Sequence, residues 1–181
     1  MRWRNGPGEF GLLSRALHWL MAAGVLVMLA LGSYLVRMEP GLANLWLYGL
    51  HKTIGTGLLA LIILRLIWHR ISPPPMPLGP PTAWETRLAK TAHSLLYALL
   101  LIIPLSGWSA SSATGIDVLI FDRWTLPPLA PVSEAWEKAG FAVHGIATKA
   151  LMAVLILHIA GALWRARAGD GTLRRMVRGK I

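Results

Sequence analysis

The stretch Phe141–Trp164, FAVHGIATKALMAVLILHIAGALW, decides how the chain is read. A helix needs about 20 predominantly apolar residues to cross a bilayer, and this run supplies them. It also carries His144 and His158, fourteen positions apart. At about 3.6 residues per turn, fourteen residues make nearly four whole turns, so both imidazoles leave one face roughly 21 Å apart along the axis. One histidine then sits near each edge of the hydrocarbon. Ionisable side chains are costly inside a membrane and face a bundle interior where they serve a function. Two on one stripe, at two depths, have the arrangement of axial ligands for two stacked metal centres.

The rest of the composition agrees with a membrane protein. Of 181 residues, 55% are hydrophobic and 14% charged, too apolar for an ordinary soluble domain. The absence of cysteine excludes cysteine-ligated iron–sulfur clusters, covalent haem attachment and disulfides. Three further apolar spans precede the first one: about 12–36, 45–68 and 88–110, with the fourth at 141–165. The expected fold is therefore all-α, a single four-helix membrane domain over 1–181. The basic N-terminus resembles a signal peptide, but the first apolar run is long and lacks a small-residue cleavage site, so it is expected to be a retained span. Trp19, Trp46, Tyr48, Trp68, Trp108 and Trp164 fall near span ends, where interfacial aromatics belong.

The net charge of +10 is a topology signal. Thirteen basic residues, from Arg2, Arg4 and Arg15 through Arg65, Arg70, Arg87 and Lys90 to Arg165–Lys180, fall on one side with three acids. Arg37, Lys52, Arg123, Lys138 and Lys149 fall on the other with five acids. The positive-inside rule then puts both termini in the cytoplasm. No basic patch interleaved with exposed aromatics supports a nucleic-acid partner. Between spans, 72–82 reads as a proline-rich cytoplasmic linker. The outer segment 111–139 reads either as a lid over the bundle or as an amphipathic segment on the membrane.

Depth pairs the remaining histidines. His51 lies at the outer end of the second span and can face His144. His18 and His93 both lie at the cytoplasmic ends of their spans, and either can face His158. His69 sits at the cytoplasmic exit of the second span, beside Arg70, and reads as a surface residue. Paired imidazoles from different helices are the donor set of six-coordinate haem b, in which the porphyrin fills the other four positions. The interval of fourteen recurs: Gly32 follows His18 and Gly107 follows His93 by that spacing, leaving room for a flat ring. Arg65 follows His51 by fourteen, on the ligand face, where it suits a haem propionate.

Arg15–Leu20 (RALHWL), His51 with Gly55, His93 with Leu95–Tyr97, Pro104 with Gly107, and the His144/His158 spacing together resemble the bacterial cytochrome b561 family over nearly the whole chain. The resemblance implies two haems b, one held by His18 and His158 and the other by His51 and His144. It implies an oxidoreductase of the bacterial inner membrane that oxidises superoxide to dioxygen at the periplasmic face and passes the electrons to ubiquinone. Lys52 and Lys149 are candidates for steering the anion toward the outer haem. His93, Lys90, Arg87, Ser94 and Trp19 are candidates for an inner quinone slot, with His93 also a candidate propionate partner or alternative ligand. The same plan serves as the membrane-anchor cytochrome b of dehydrogenases and hydrogenases, where a redox protein would be the partner. The short chain and brief tail disfavour that alternative.

Overall fold

The computed structural model describes residues 2–78 and 83–180; the end of the expected proline-rich linker, 79–82, lies outside the described residues. Four long helices form the body: α1 (Leu12–Leu35), α2 (Trp46–Ile71), α3 (Ala83–Ala113) and α4 (Glu134–Arg167). A hairpin, β1 (Val118–Ile120) with β2 (Trp124–Leu126), sits between α3 and α4, and a short helix α5 (Thr172–Arg178) ends the chain. All four long helices have the length and hydropathy to cross a membrane. At most 22% of any of their apolar windows is buried within the protein, so most of that surface is left for lipid.

The helices run past the apolar spans where polar residues can cap them. Ser133 accepts a hydrogen bond from the Trp136 amide, and Glu134 and Glu137 complement the positive end of the α4 dipole. Arg165 and Arg167 do the same at its negative end. These caps extend α4 seven residues before the apolar run begins at Phe141. α3 likewise starts earlier and ends later than 88–110.

α1 pairs with α2, α2 with α3, and α3 with α4 along its length. Met21, Leu59 and the fully buried Ile62 form the tight part of the core, with Tyr97, Leu101 and Trp108 packed against them. Trp68 Nε1 donates to the buried Ser14 hydroxyl at 2.8 Å, joining α2 to α1. By contrast α4 makes no comparable packing with α1 or α2 among the described residues. Gaps between α4 and these two helices are therefore built into the bundle.

Part of the outer connection is a strand pair where a loop was expected. Val118 pairs with Leu126 and Ile120 with Trp124. Phe121 and Asp122 both have φ of 52°, the left-handed pair that a tight hairpin turn demands. Two such residues without glycine are strained by about 1–3 kcal/mol each. The tip is held because the Phe121 amide donates to Thr53 Oγ1 at 3.0 Å, and Asp122 lies directly over Gly49.

At the end of the bundle that carries both chain termini, the N-terminus, the linker and α5 knit together. The Asn5 amide and side chain bond Ser72, and the Phe10 amide donates to the Gly179 carbonyl at 3.0 Å. Asp170 closes the turn into α5, accepting from the Thr172 amide at 2.8 Å and from its hydroxyl at 2.9 Å, and pairing with Arg165. Burial alone would raise the Asp170 pKa, but the Thr172 hydrogen bonds and the Arg165 guanidinium together hold it below the usual carboxylate range. A lowered acid stabilises the fold above its ordinary pKa, and that contribution disappears as pH falls through the lowered value. Protection of the α5 amides, measured relative to their intrinsic exchange rates, should therefore be high at neutral pH and fall on strong acidification. Asp170→Asn should give low protection across the whole range.

Candidate functional site: paired histidines across two gaps

Both sets of facing histidines span the gaps that α4 leaves. His51 of α2 and His144 of α4 have ring centroids 6.1 Å apart with planes at 66°. His18 of α1 and His158 of α4 stand 6.4 Å apart at 61°. With metal–nitrogen bonds of about 2 Å, two imidazoles trans across one metal have centroids roughly 6 Å apart. Both separations match that requirement. His93 of α3 also approaches His158, at 5.3 Å, which is short for a pair sharing a metal. His18 and His93 thus both stand beside His158, and the His18 separation is the one nearer the shared-metal value.

The other ring nitrogens are instructive. His144 Nδ1 lies 2.8 Å from the Ile103 carbonyl, an acceptor only, so Nδ1 carries the proton and Nε2 keeps its lone pair for a ligand. Ile103 stands just before Pro104, which lacks an amide proton and loosens the α3 ladder. The same carbonyl also accepts from Ser106 Oγ at 2.9 Å. His51 Nδ1 is buried with no protein partner, a cost of about 1–3 kcal/mol that needs an offset from whatever the ring binds. Among the described residues, no three His, Cys, Asp or Glu side chains gather into a metal site. The donors come in pairs, the set that a four-nitrogen macrocycle completes.

The two glycines at the fourteen-residue interval face this outer pair. A Cβ on Gly32 would lie 3.4 Å from His51 Cε1, and one on Gly107 would lie 2.9 Å from His144 Nδ1. Arg65 is brought to the inner level, with Nη1 3.2 Å from His18 Nδ1 and Nε donating to Tyr97 OH at 3.1 Å. Neither partner is an anion, and among the described residues no carboxylate forms an ion pair with Arg65, an environment that suits a propionate-binding arginine.

These gaps, spacings and glycines fit porphyrins, and sequence comparison gives the same answer. The sequence matches the family described as prokaryotic cytochrome b561 across residues 9–179. The chain belongs to that family. It is similar to cytochrome b561 homolog 2 of Escherichia coli (strain K12), with 35% identity over 184 residues that cover 98% of this chain and 95% of that protein. The protein is accordingly an integral-membrane b-type cytochrome that transfers electrons.

Other expected residues are distributed less evenly in this cytochrome. Lys52 follows His51 and is half-buried near the hairpin tip. Lys149 is exposed on α4, five positions and about 140° around the helix from His144, so it does not join the outer pair. His93, Lys90, Arg87 and Ser94 line an exposed stretch of α3. The Trp19 indole N–H is already engaged by the Met176 carbonyl at 3.1 Å. His69 does not stand alone at the surface: its Nδ1 lies 3.1 Å from Tyr97 OH, which links it to Arg65. Tyr97 was visible only as part of a family-like motif, and α5 only as a tail.

Replacing glycine by alanine inside a helix ordinarily gains up to about 1 kcal/mol. At Gly107 the new methyl meets a ring locked by the Ile103 carbonyl, and overpacking costs about 1–3 kcal/mol. Gly107→Ala should lower both thermal stability and haem content, while Gly32→Ala should leave them nearly unchanged. Thermal unfolding with haem quantitation checks both.

Proposed function

We propose that this cytochrome carries single electrons across the bacterial inner membrane, from superoxide on the periplasmic side to ubiquinone. The observation that carries the reading is the pair of imidazole separations, 6.1 and 6.4 Å, at two levels of one bundle. His51 with His144 would hold an outer haem b, and His18 with His158 an inner one. When bound, each haem would supply one-electron redox chemistry.

The protein's own residues do the rest. The Ile103 carbonyl fixes the His144 tautomer and ring orientation. Arg65 offers its charge to a propionate at the inner level and is itself steadied by Tyr97. At the outer mouth, Lys52 favours approach of a small anion, while Asp122 over Gly49 opposes it, so steering is a local balance of charges. Lys149 contributes only to the general field of the outer half. On the inner side His93, beside His158, with Lys90, Arg87 and Ser94, offers hydrogen-bond donors to a quinone ring. Trp19 contributes an aromatic edge to that slot, since its N–H is taken.

Two superoxide anions give two electrons and two dioxygen molecules, and ubiquinone takes those electrons with two protons to become the quinol. The excess of basic residues beside α5 and the N-terminus supports cytoplasmic termini. The purified protein should show two b haems per chain, and His158→Ala should leave about one. Superoxide should reduce the wild type, and added ubiquinone should reoxidise it. Lys52→Gln should slow the superoxide step several-fold and flatten its dependence on ionic strength, whereas Asp122→Asn should speed it. Reduction by a co-purifying dehydrogenase alone, with superoxide inert, would replace this reading with that of a membrane anchor.

A further inference from the structure

α1 and α4 supply the two inner imidazoles, yet they make no comparable packing with each other along the bundle. Something other than helix–helix packing must hold their 6.4 Å spacing. The connection between them at this end is α5. Leaving α4, the chain is folded back by the Arg165–Asp170 pair and by Asp170 on Thr172. The final carbonyls of a helix have no partners within it. Those of α5 are met by donors from α1: Arg15 Nη2 donates to the Val177 carbonyl, and Trp19 Nε1 to the Met176 carbonyl.

The rest of the contact is closed tightly. Gly179 has φ of +91°, and a Cβ there would stand 2.9 Å from Arg15 Nη1 and 3.2 Å from the Phe10 carbonyl. Arg175, only 3% exposed, donates to the Met76 carbonyl at 2.9 Å and lies 5.1 Å from the Phe10 ring centroid. Trp19 in turn follows His18 and meets its ring edge-on, centroids 5.2 Å apart at 78°.

We propose that α5 and the turn before it form a clasp that ties α4 to α1 across the inner gap, with Trp19 and Arg15 as positioning residues for His18 opposite His158. The proposal rests on reading His18 and His158 as the inner haem pair. The clasp reaches only the cytoplasmic end, so loosening it disturbs the inner haem and spares the outer one. A tail that merely rests at the membrane surface would leave both unchanged.

The test is low-temperature EPR of the oxidised full-length holoprotein, with redox titration of each haem. His158→Ala and His51→Ala assign the inner and outer low-spin signals. Trp19→Phe removes one indole donor and keeps an aromatic ring; Arg15→Gln removes the other tie. Each should shift or broaden the inner signal and move its midpoint potential, with the outer signal unmoved, and Arg15→Lys should restore part of the change. If Arg15→Gln fails to accumulate, Trp19→Phe alone decides. Both signals unmoved, or both moved equally, overturns the clasp while His158→Ala still removes one signal. If His158→Ala removes neither, the inner-pair reading falls and takes the clasp with it.

Discussion

The separation of facing imidazoles across gaps between helices is the constraint on which the rest of this structure depends. Helices in lipid gain little from burying apolar surface, because the surrounding chains are as apolar as the side chains. A bundle that must leave two flat openings in its interior gives up packing as well. α4 shows this: it carries His144 and His158, lies along α3, and stands off from α1 and α2. Facing histidines stand about 6 Å apart at each level, and Gly32 and Gly107 lack side chains where the His51 and His144 rings lie.

Each level is supported differently. At the outer level the support is the Ile103 backbone carbonyl, next to the proline inside α3, which holds His144 in one tautomer. The strained hairpin tip closes over α2 within two residues of His51 on either side, anchored by Thr53 and admitted by Gly49. At the inner level support comes from charge and from the chain ends. Arg65 stands beside His18, and the N-terminus, linker and α5 interlock beneath it.

Much of this was legible in the sequence because helical periodicity converts spacing directly into geometry. Fourteen residues is nearly four turns, so His144 and His158, His18 and Gly32, His51 and Arg65 had to share faces. The depth of each histidine within its span matched His51 to His144 and left His158 two candidates, His18 and His93. Features that depend on tertiary contact were not legible. The choice between His18 and His93 turns on about 1 Å of spacing, which no pattern encodes. His69 looked like a surface residue because its partner, Tyr97, lies on another helix. The hairpin hid because its turn uses Phe121 and Asp122, where glycine or asparagine would have marked it. α5 is only seven residues long and owes its place to donors from α1, so its sequence read as a charged tail. Lys149, a candidate for local positive charge, lies exposed on α4 about 140° around the helix from His144.

In the proposed arrangement, imidazoles from separate helices would hold porphyrin iron in pairs at both levels. Near-infrared magnetic circular dichroism of the oxidised protein tests it most directly, since the position of the charge-transfer band reports the axial donors of low-spin ferric haem. The account predicts bis-imidazole bands alone, with intensity for two haems per chain. Intensity for one haem, or a high-spin or histidine–methionine band from either, would contradict it.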